Sequence, residues 1–288
     1  MPLISLKELL KEAVENRYAV GGFDAGEHGF AEAIIQAAEE TKAPVILMVP
    51  EVFLKLVAVD SFFPYLINRI RSSSAHVDLH LDHGTCYESC LQAIHYGFTS
   101  VMIDGSLLPY EENVALTKKV VEAAHAAGVS VEAELGHVGG SEETIMEGSV
   151  ADERFFTEPE EAADFVKKTG VDALAVSIGT VHGVYRGTPK LDLERLSAIR
   201  SRVDIPLVMH GGSGLTDQDF KNVIQCGINK INYFTAISHT AVEAIKEKLQ
   251  STEGKVFYPD LITIALRKAK EAVVKQIEIF GTRPRSGF

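Results

Sequence analysis

Three histidines, His83, His182 and His210, each end an apolar run, and each is followed at once by glycine. The runs read VDLHLDHG (77–84), LAVSIGTVHG (174–183) and PLVMHGGSG (206–214). Neutral imidazole offers a nitrogen lone pair near physiological pH and is the commonest side-chain metal ligand. A glycine directly after it lets the backbone turn sharply or come close to a ligand. Three such ends, far apart in sequence and all at strand termini, predict one metal held at one rim of a parallel barrel, and therefore an enzyme.

Carboxylates collect at the same ends. In 129–135, Val129, Val131 and Ala133 share one face of an alternating run, and Ser130, Glu132 and Glu134 share the other. With the apolar face turned to helices, two acids point into the barrel, where an unpaired charge is very costly. Either a carboxylate pairs with a buried Lys or His as structural glue, or it serves a metal; the terminal position of Glu134 favours the second role, and both stay open for Glu132. Asp82 and Asp104 end the third and fourth runs at the same rim. Asp82, beside His83, reads as an acid supporting the metal or donating a proton, with a helix N-cap as the alternative. His80 reads as a core or supporting histidine rather than a ligand. His28, His76, His95, His125 and His239 fall in helical or loop patterns and are assigned no role.

The stretch 211–214 (GGSG) follows the seventh run, and Asn232 to Thr235 follow the eighth. Amides of a Gly-rich turn with nearby hydroxyls form an anion nest that needs no net positive charge. Barrels often bind phosphate at these two loops; a plain connector is the alternative. The polar stretch 134–156 has Gly139 and Gly140 as hinges and Glu142 and Glu143 near its start. Its composition suits either a lid that carries a catalytic group or a solvated acidic loop.

The elements that must position these residues are eight β-rich runs: 18–23, 44–49, 77–81, 100–104, 129–135, 172–178, 206–210 and 229–234. Amphipathic stretches such as 111–128 and 158–170 lie between them, with Gly128 and Gly170 suited to left-handed C-caps and Thr216 or Asp217 to an N-cap. Strands alternating with helices mean βα units and a parallel sheet, and eight of them make a TIM (β/α)8 barrel. We read residues 1–288 as one such α/β domain with an N-terminal helix and a C-terminal helical extension. An open doubly wound sheet would want a G-x-G-x-x-G fingerprint after the first strand, and none is there. The chain has 288 residues, 46% hydrophobic, a size that α/β barrels of ~250 residues commonly reach as one domain.

A net charge of -12 argues against nucleic acid or an anionic membrane as partner, so an anionic substrate needs a local binding device. Cys86, Cys90 and Cys226 imply no disulfide framework. The opening MPLISLKELLKEAVEN lacks the apolar core of a signal peptide, and no apolar run approaches ~18 residues. The expectation is a cytoplasmic protein.

Together HLDHG, VMIDGS, VEAELGHVGG, the His182 segment, HGGSG and KIN resemble the motifs of the class II (zinc-dependent) ketose-bisphosphate aldolases, which act on fructose and tagatose bisphosphates. The resemblance runs from MPLISLKELL nearly to the end of the chain. It implies that His83, His182 and His210 hold a catalytic Zn2+, with Asp104 and Glu134 around a second divalent or monovalent cation position. Asp82 would protonate the aldehyde oxygen as the carbon–carbon bond forms, and Glu142 would remove the proton from dihydroxyacetone phosphate. Gly183, Gly211, Ser213 and Thr235 match a phosphate cradle, Asn232 an enediolate contact, and Arg267, more loosely, an arginine reaching a neighbouring subunit. A homodimer or homotetramer is implied.

Three positions depart from the family pattern: Asp24 replaces Asn, Pro50 (before Glu51 and Val52) replaces Ser, and Phe234 stands where Asp, Asn or Ala is common. All three face or border the aldehyde half, where a second phosphate looks disfavoured: Pro has no amide to donate and Asp24 adds negative charge. The expected reaction is reversible cleavage of a ketose phosphate to dihydroxyacetone phosphate and an aldehyde other than glyceraldehyde 3-phosphate. An authentic fructose- or tagatose-bisphosphate aldolase is the first alternative. A non-catalytic metal- and phosphate-binding paralogue is the second, but it would have little use for both Asp82 and Glu142. A zinc hydrolase barrel would want a His-x-His pair on its first strand, which is missing.

Overall fold

Runs such as VILMV have no polar face to show to water, so they are stable only when covered on both sides. In the computed structural model, which describes residues 2–140 and 149–284, that covering is complete. The strands are β1 (Val20–Asp24), β2 (Val45–Pro50), β3 (Val77–Gly84), β4 (Ser100–Ile103), β5 (Ser130–Leu135), β6 (Ala173–Val176), β7 (Leu207–Met209) and β8 (Ile228–Asn232). Each pairs in parallel with its neighbours, and β8 returns to β1 to close the barrel. Helix α1 (Leu6–Asn16) precedes β1. Around the barrel run α2 (His28–Thr41), α3 (Val59–Arg71), α4 (Tyr87–Tyr96), α5 (Tyr110–Ala126), α6 (Pro159–Thr169), α7 (Leu193–Arg200), α8 (Asp217–Gln225) and α9 (Thr235–Ser251), followed by α10 (Tyr258–Ile279).

The outward strand residues, among them Phe23, Leu47, Leu79, Val131 and Leu174, pack with the helices into one large apolar layer. A second, smaller cluster closes the N-terminal mouth. There Leu6, Leu9, Leu10 and Ala13 of α1 meet Val20, Ile46, Met48, Ala173, Ala175 and Val208. Each leucine so buried stabilises the fold by about 1.5–3 kcal/mol. The rest of the interior is polar: Asp78, His80, Ser100, Glu132 and Lys230, from β3, β4, β5 and β8, are all fully buried.

Local signals explain the element ends. Gly170 takes φ 72 as C-cap of α6, and Gly128 takes φ 75 one residue past α5's cap, Ala127. Thr216 caps α8 in a reciprocal capping box with Asp219, and Asp217 is the first residue inside the helix. β3 runs on to Gly84, beyond the expected end at 81, whereas β6 stops at Val176 and β8 at Asn232. The three cysteines are free thiols. Among the described residues no helix is long and apolar enough to cross a membrane.

Candidate metal centre and active site

The three histidines converge at the C-terminal rim by three different routes. His210 directly follows β7, so a simple strand end delivers it. His83 lies within β3, where the register with β4 shifts between Leu81 and Gly84. It takes φ 48, a left-handed conformation rare outside glycine. That irregularity turns Asp82 and His83 toward the same centre, although strand alternation alone would send them to opposite faces. His182 lies six residues past β6. Gly179 at φ 111 bends the chain, and His182 then bridges to Gly140, its amide donating to the Gly139 carbonyl at 2.8 Å.

The ring nitrogens meet closely. His83 Nε2 is 3.2 Å from His182 Nε2 and 3.0 Å from His210 Nδ1, and the last two are 3.4 Å apart. Three lone pairs cannot face one another at this range without a cation or proton among them. Nitrogens held at ~2.0–2.1 Å by a tetrahedral zinc stand ~3.3 Å apart, so the donor set fits that ion in type and spacing. Each outer nitrogen has an acceptor that sets the tautomer: Asp104 for His83 Nδ1 at 2.8 Å, the Val138 carbonyl for His182 Nδ1 at 3.1 Å, and Glu132 for His210 Nε2 at 3.0 Å. Burial, reinforced by the neighbouring rings, holds His182 and His210 well below the ordinary histidine pKa, so both are neutral donors. For His83 burial acts the same way, but Asp82 and the hydrogen-bonded Asp104 outweigh it and raise its pKa.

His83, Asp104 and Glu134 form a second group with ligand atoms within 4.8 Å of one another. Burial and then the charge of Asp104 push Glu134 up to about 8. One of its oxygens accepts from the Val138 amide at 2.9 Å, and the other, Oε2, is buried without a hydrogen bond. Asp104 is held far below the usual carboxylate range: burial opposes its charge, but His83 and Ser106 prevail.

Asp82 is fully buried, accepts from Asn232 Nδ2 at 3.1 Å through Oδ1, and has no hydrogen bond at Oδ2. Asn232 ends β8 beside Gly22 of β1, where a Cβ would come 2.6 Å from Met48 Sδ and 3.0 Å from Asn232 Oδ1. Next to this sector, Gly183 and Gly211 have φ 79 and 70, and Ser213 Oγ accepts from the Ala236 amide at 3.2 Å. Thr235 opens α9, and the residue before it, Phe234, gives the helix no side-chain cap of its own. Tyr185 ties this corner together by donating to the Gly211 carbonyl at 2.7 Å. Gly-rich backbone and the start of a helix together suit an anion.

At the ends of the first two strands, Asp24 ends β1 and is buried, and Pro50 ends β2 opposite Asp82. Glu51 accepts from the Thr85 amide at 2.6 Å, and Phe234 stacks edge-on against Phe53 and Phe30. Arg267 is not among the rim residues; it lies in a groove between α2 and α10, 3.8 Å from Glu271. Glu142 lies outside the described residues, and Gly139 and Gly140 are pinned to His182.

Sequence reasoning passed over His137, whose Nδ1 lies 3.0 Å from Ser106 Oγ and 3.8 Å from Glu134. Its place in ELGHVGG, three residues after Glu134, was the available signal. Lys230, quoted only within KIN, pairs with Glu132 at 2.7 Å in the barrel interior.

Fold and site together define a barrel enzyme with three converging histidines at its rim, beside a glycine-rich turn and the start of a helix. The chain belongs to the class II fructose-bisphosphate aldolase family, whose model matches residues 4–285, and it is therefore an aldehyde-lyase. It is 44% identical to the fructose-bisphosphate aldolase of Staphylococcus aureus over 294 residues, covering 99% of this chain and 100% of that one. The fructose-bisphosphate aldolase of Staphylococcus epidermidis is 42% identical with the same coverage. Among solved structures, the YdjI aldolase of Escherichia coli superposes with a TM-score of 0.86 at 32% identity, over 97% of this chain and 98% of the other.

Proposed function

We propose that the chain is a zinc-dependent aldolase that cleaves and forms a ketose phosphate, with dihydroxyacetone phosphate as donor and an aldehyde without phosphate as acceptor. The observation that carries this reading is the convergence of three imidazole nitrogens 3.0–3.4 Å apart, beside Asp82 and the glycine-rich cradle. His83, His182 and His210 would hold the zinc, which when bound supplies Lewis-acid polarisation of the ketone. Asp104 and Glu134, grouped with His83 and with one Glu134 oxygen buried and unbonded, suit a second cation.

The chain's own groups account for the remaining work. Gly183, Gly211, Ser213 and Thr235 would bind the donor phosphate, placing its carbonyl toward the histidines. Asn232 donates to Asp82 Oδ1, and the free Oδ2 would give a proton to the aldehyde oxygen and take it back in cleavage. Glu142 is our candidate for the base that removes the proton from dihydroxyacetone phosphate.

The acceptor flank supports an aldehyde without phosphate. Asp24 and Glu51 bring negative charge, Pro50 offers no amide, and the Phe30–Phe53–Phe234 wall takes up room. The second reading, a bisphosphate aldolase, draws support from the names of the relatives. We also propose a homo-oligomer in which Arg267 serves a neighbouring copy.

Parallel cleavage assays with fructose 1-phosphate and fructose 1,6-bisphosphate, on zinc-loaded and chelator-stripped protein, test the reading. We expect zinc-dependent release of dihydroxyacetone phosphate, with the monophosphate favoured in kcat/KM. Preference for the bisphosphate would move the assignment to the second reading, and cleavage that survives metal removal would overturn both.

A further inference from the structure

One interior feature is not needed to bind substrate: a continuous polar chain across the barrel beneath the histidines. Ser100 Oγ donates to Asp78 at 2.6 Å and accepts from His80 Nδ1 at 2.6 Å. His80 Nε2 is then left with a lone pair, 3.4 Å from Lys230 Nζ. Lys230 donates to Glu132 Oε2 at 2.7 Å, and Glu132 Oε1 accepts from His210 Nε2 at 3.0 Å. Every member is fully buried.

A buried ion pair of this kind commonly costs more in desolvation than it returns, and apolar residues of similar volume serve stability as well or better. The alternating small and apolar side chains of β1, β2, β6 and β7 fill the same interior without charge. The direction of the chain suggests what Glu132 and Lys230 do instead. A carboxylate only accepts, so Glu132 forces the His210 proton onto Nε2 and leaves the Nδ1 lone pair facing His83 and His182. Lys230 occupies the other carboxylate oxygen, so Glu132 cannot rotate away. His210 is also the ligand that meets the cluster through Nδ1, where the other two use Nε2. Its reversed ring makes the tautomer decisive.

We propose that Glu132 and Lys230 are positioning residues for His210 and set how tightly the three-histidine centre holds its metal. The proposal rests on the metal-centre reading above.

The test is the zinc Kd, measured by competition with a chromophoric chelator, for wild type, Glu132→Gln, Lys230→Met and the double variant. Thermal melts run in parallel, with 15N-histidine NMR of the metal-free proteins. Glutamine can turn either its oxygen or its NH2 toward Nε2, so it no longer enforces one tautomer. We expect Glu132→Gln to weaken zinc binding about 10–100-fold, the range for losing an outer partner of a ligating histidine. A second His210 tautomer should appear in its spectrum. The double variant should bind no worse than the weaker single variant, because both residues act through one hydrogen bond. Zinc affinity within about twofold of wild type in a folded Glu132→Gln protein would overturn the proposal, leaving the pair as structural glue. Should Lys230→Met fail to fold, Glu132→Gln alone decides. A wild-type protein that binds no zinc would instead defeat the metal-centre reading itself.

Discussion

A single residue carries much of the account, because Asp82 is placed by three features at once. The irregular end of β3 aims it, Asn232 holds one carboxylate oxygen, and the other is left unbonded 4.0 Å from the His83 ring. We expect Asp82→Asn to lower cleavage by about 10²–10⁴-fold, the range for losing a positioned proton donor. Zinc content, read by elemental analysis, should stay at the wild-type level, because Asp82 is not among the ligands. His182→Ala should behave differently and lose zinc and activity together. The identities of these residues were legible in the sequence because His-Gly and Asp-His sit at the ends of apolar runs. Glu132 was not decided there: alternation places it inside the barrel but cannot say that Lys230, 98 positions later, meets one oxygen and His210 the other.

At the scale of elements, the eight strands were readable because βα alternation and parallel-strand hydrophobicity are local patterns. What was not readable is how a loop departs from the strand it follows. The apolar run ending at His182 looks continuous, yet β6 stops at Val176 and a bridge to Gly140 sets the histidine. Two adjacent glycines test that bridge. Gly140 has φ 94, and a Cβ there would collide with the His182 carbonyl, whereas a Cβ on Gly139 would meet nothing within 4 Å. Gly140→Ala should cost about 1–3 kcal/mol and weaken zinc binding. Gly139→Ala should shift stability by no more than about 0.5 kcal/mol. Thermal melts and zinc titrations of the two variants provide the comparison. The plug formed by α1 is equally specific: Leu9→Ala should destabilise by about 2–5 kcal/mol in a denaturant melt, with the rim chemistry unchanged.

For the whole molecule, the charged interior has a consequence for stability against pH. Burial raises Asp78 to about 7, although the Ser100 and Thr99 hydroxyls and Lys230 pull the other way. Because the folded state holds this proton more tightly than the unfolded chain, the stability it contributes is present below about pH 4. It is lost as pH rises toward 7. Asp78→Asn should therefore gain on wild type across that window, by an amount on the order of a few kcal/mol, in urea melts at several pH values. The acidic chain and the proposed phosphorylated substrate are reconciled at this scale too, since such a cradle would bind through backbone amides and a helix start rather than through net charge. Metal set, cradle and proton abstraction act together in the proposed reaction. Deuterium exchange into dihydroxyacetone phosphate in D2O, followed by proton NMR, tests all three without a choice of aldehyde. Zinc-loaded protein should exchange one carbon-bound proton rapidly, and chelator-stripped protein should not. A folded protein with zinc demonstrably bound that leaves dihydroxyacetone phosphate unexchanged would contradict the account.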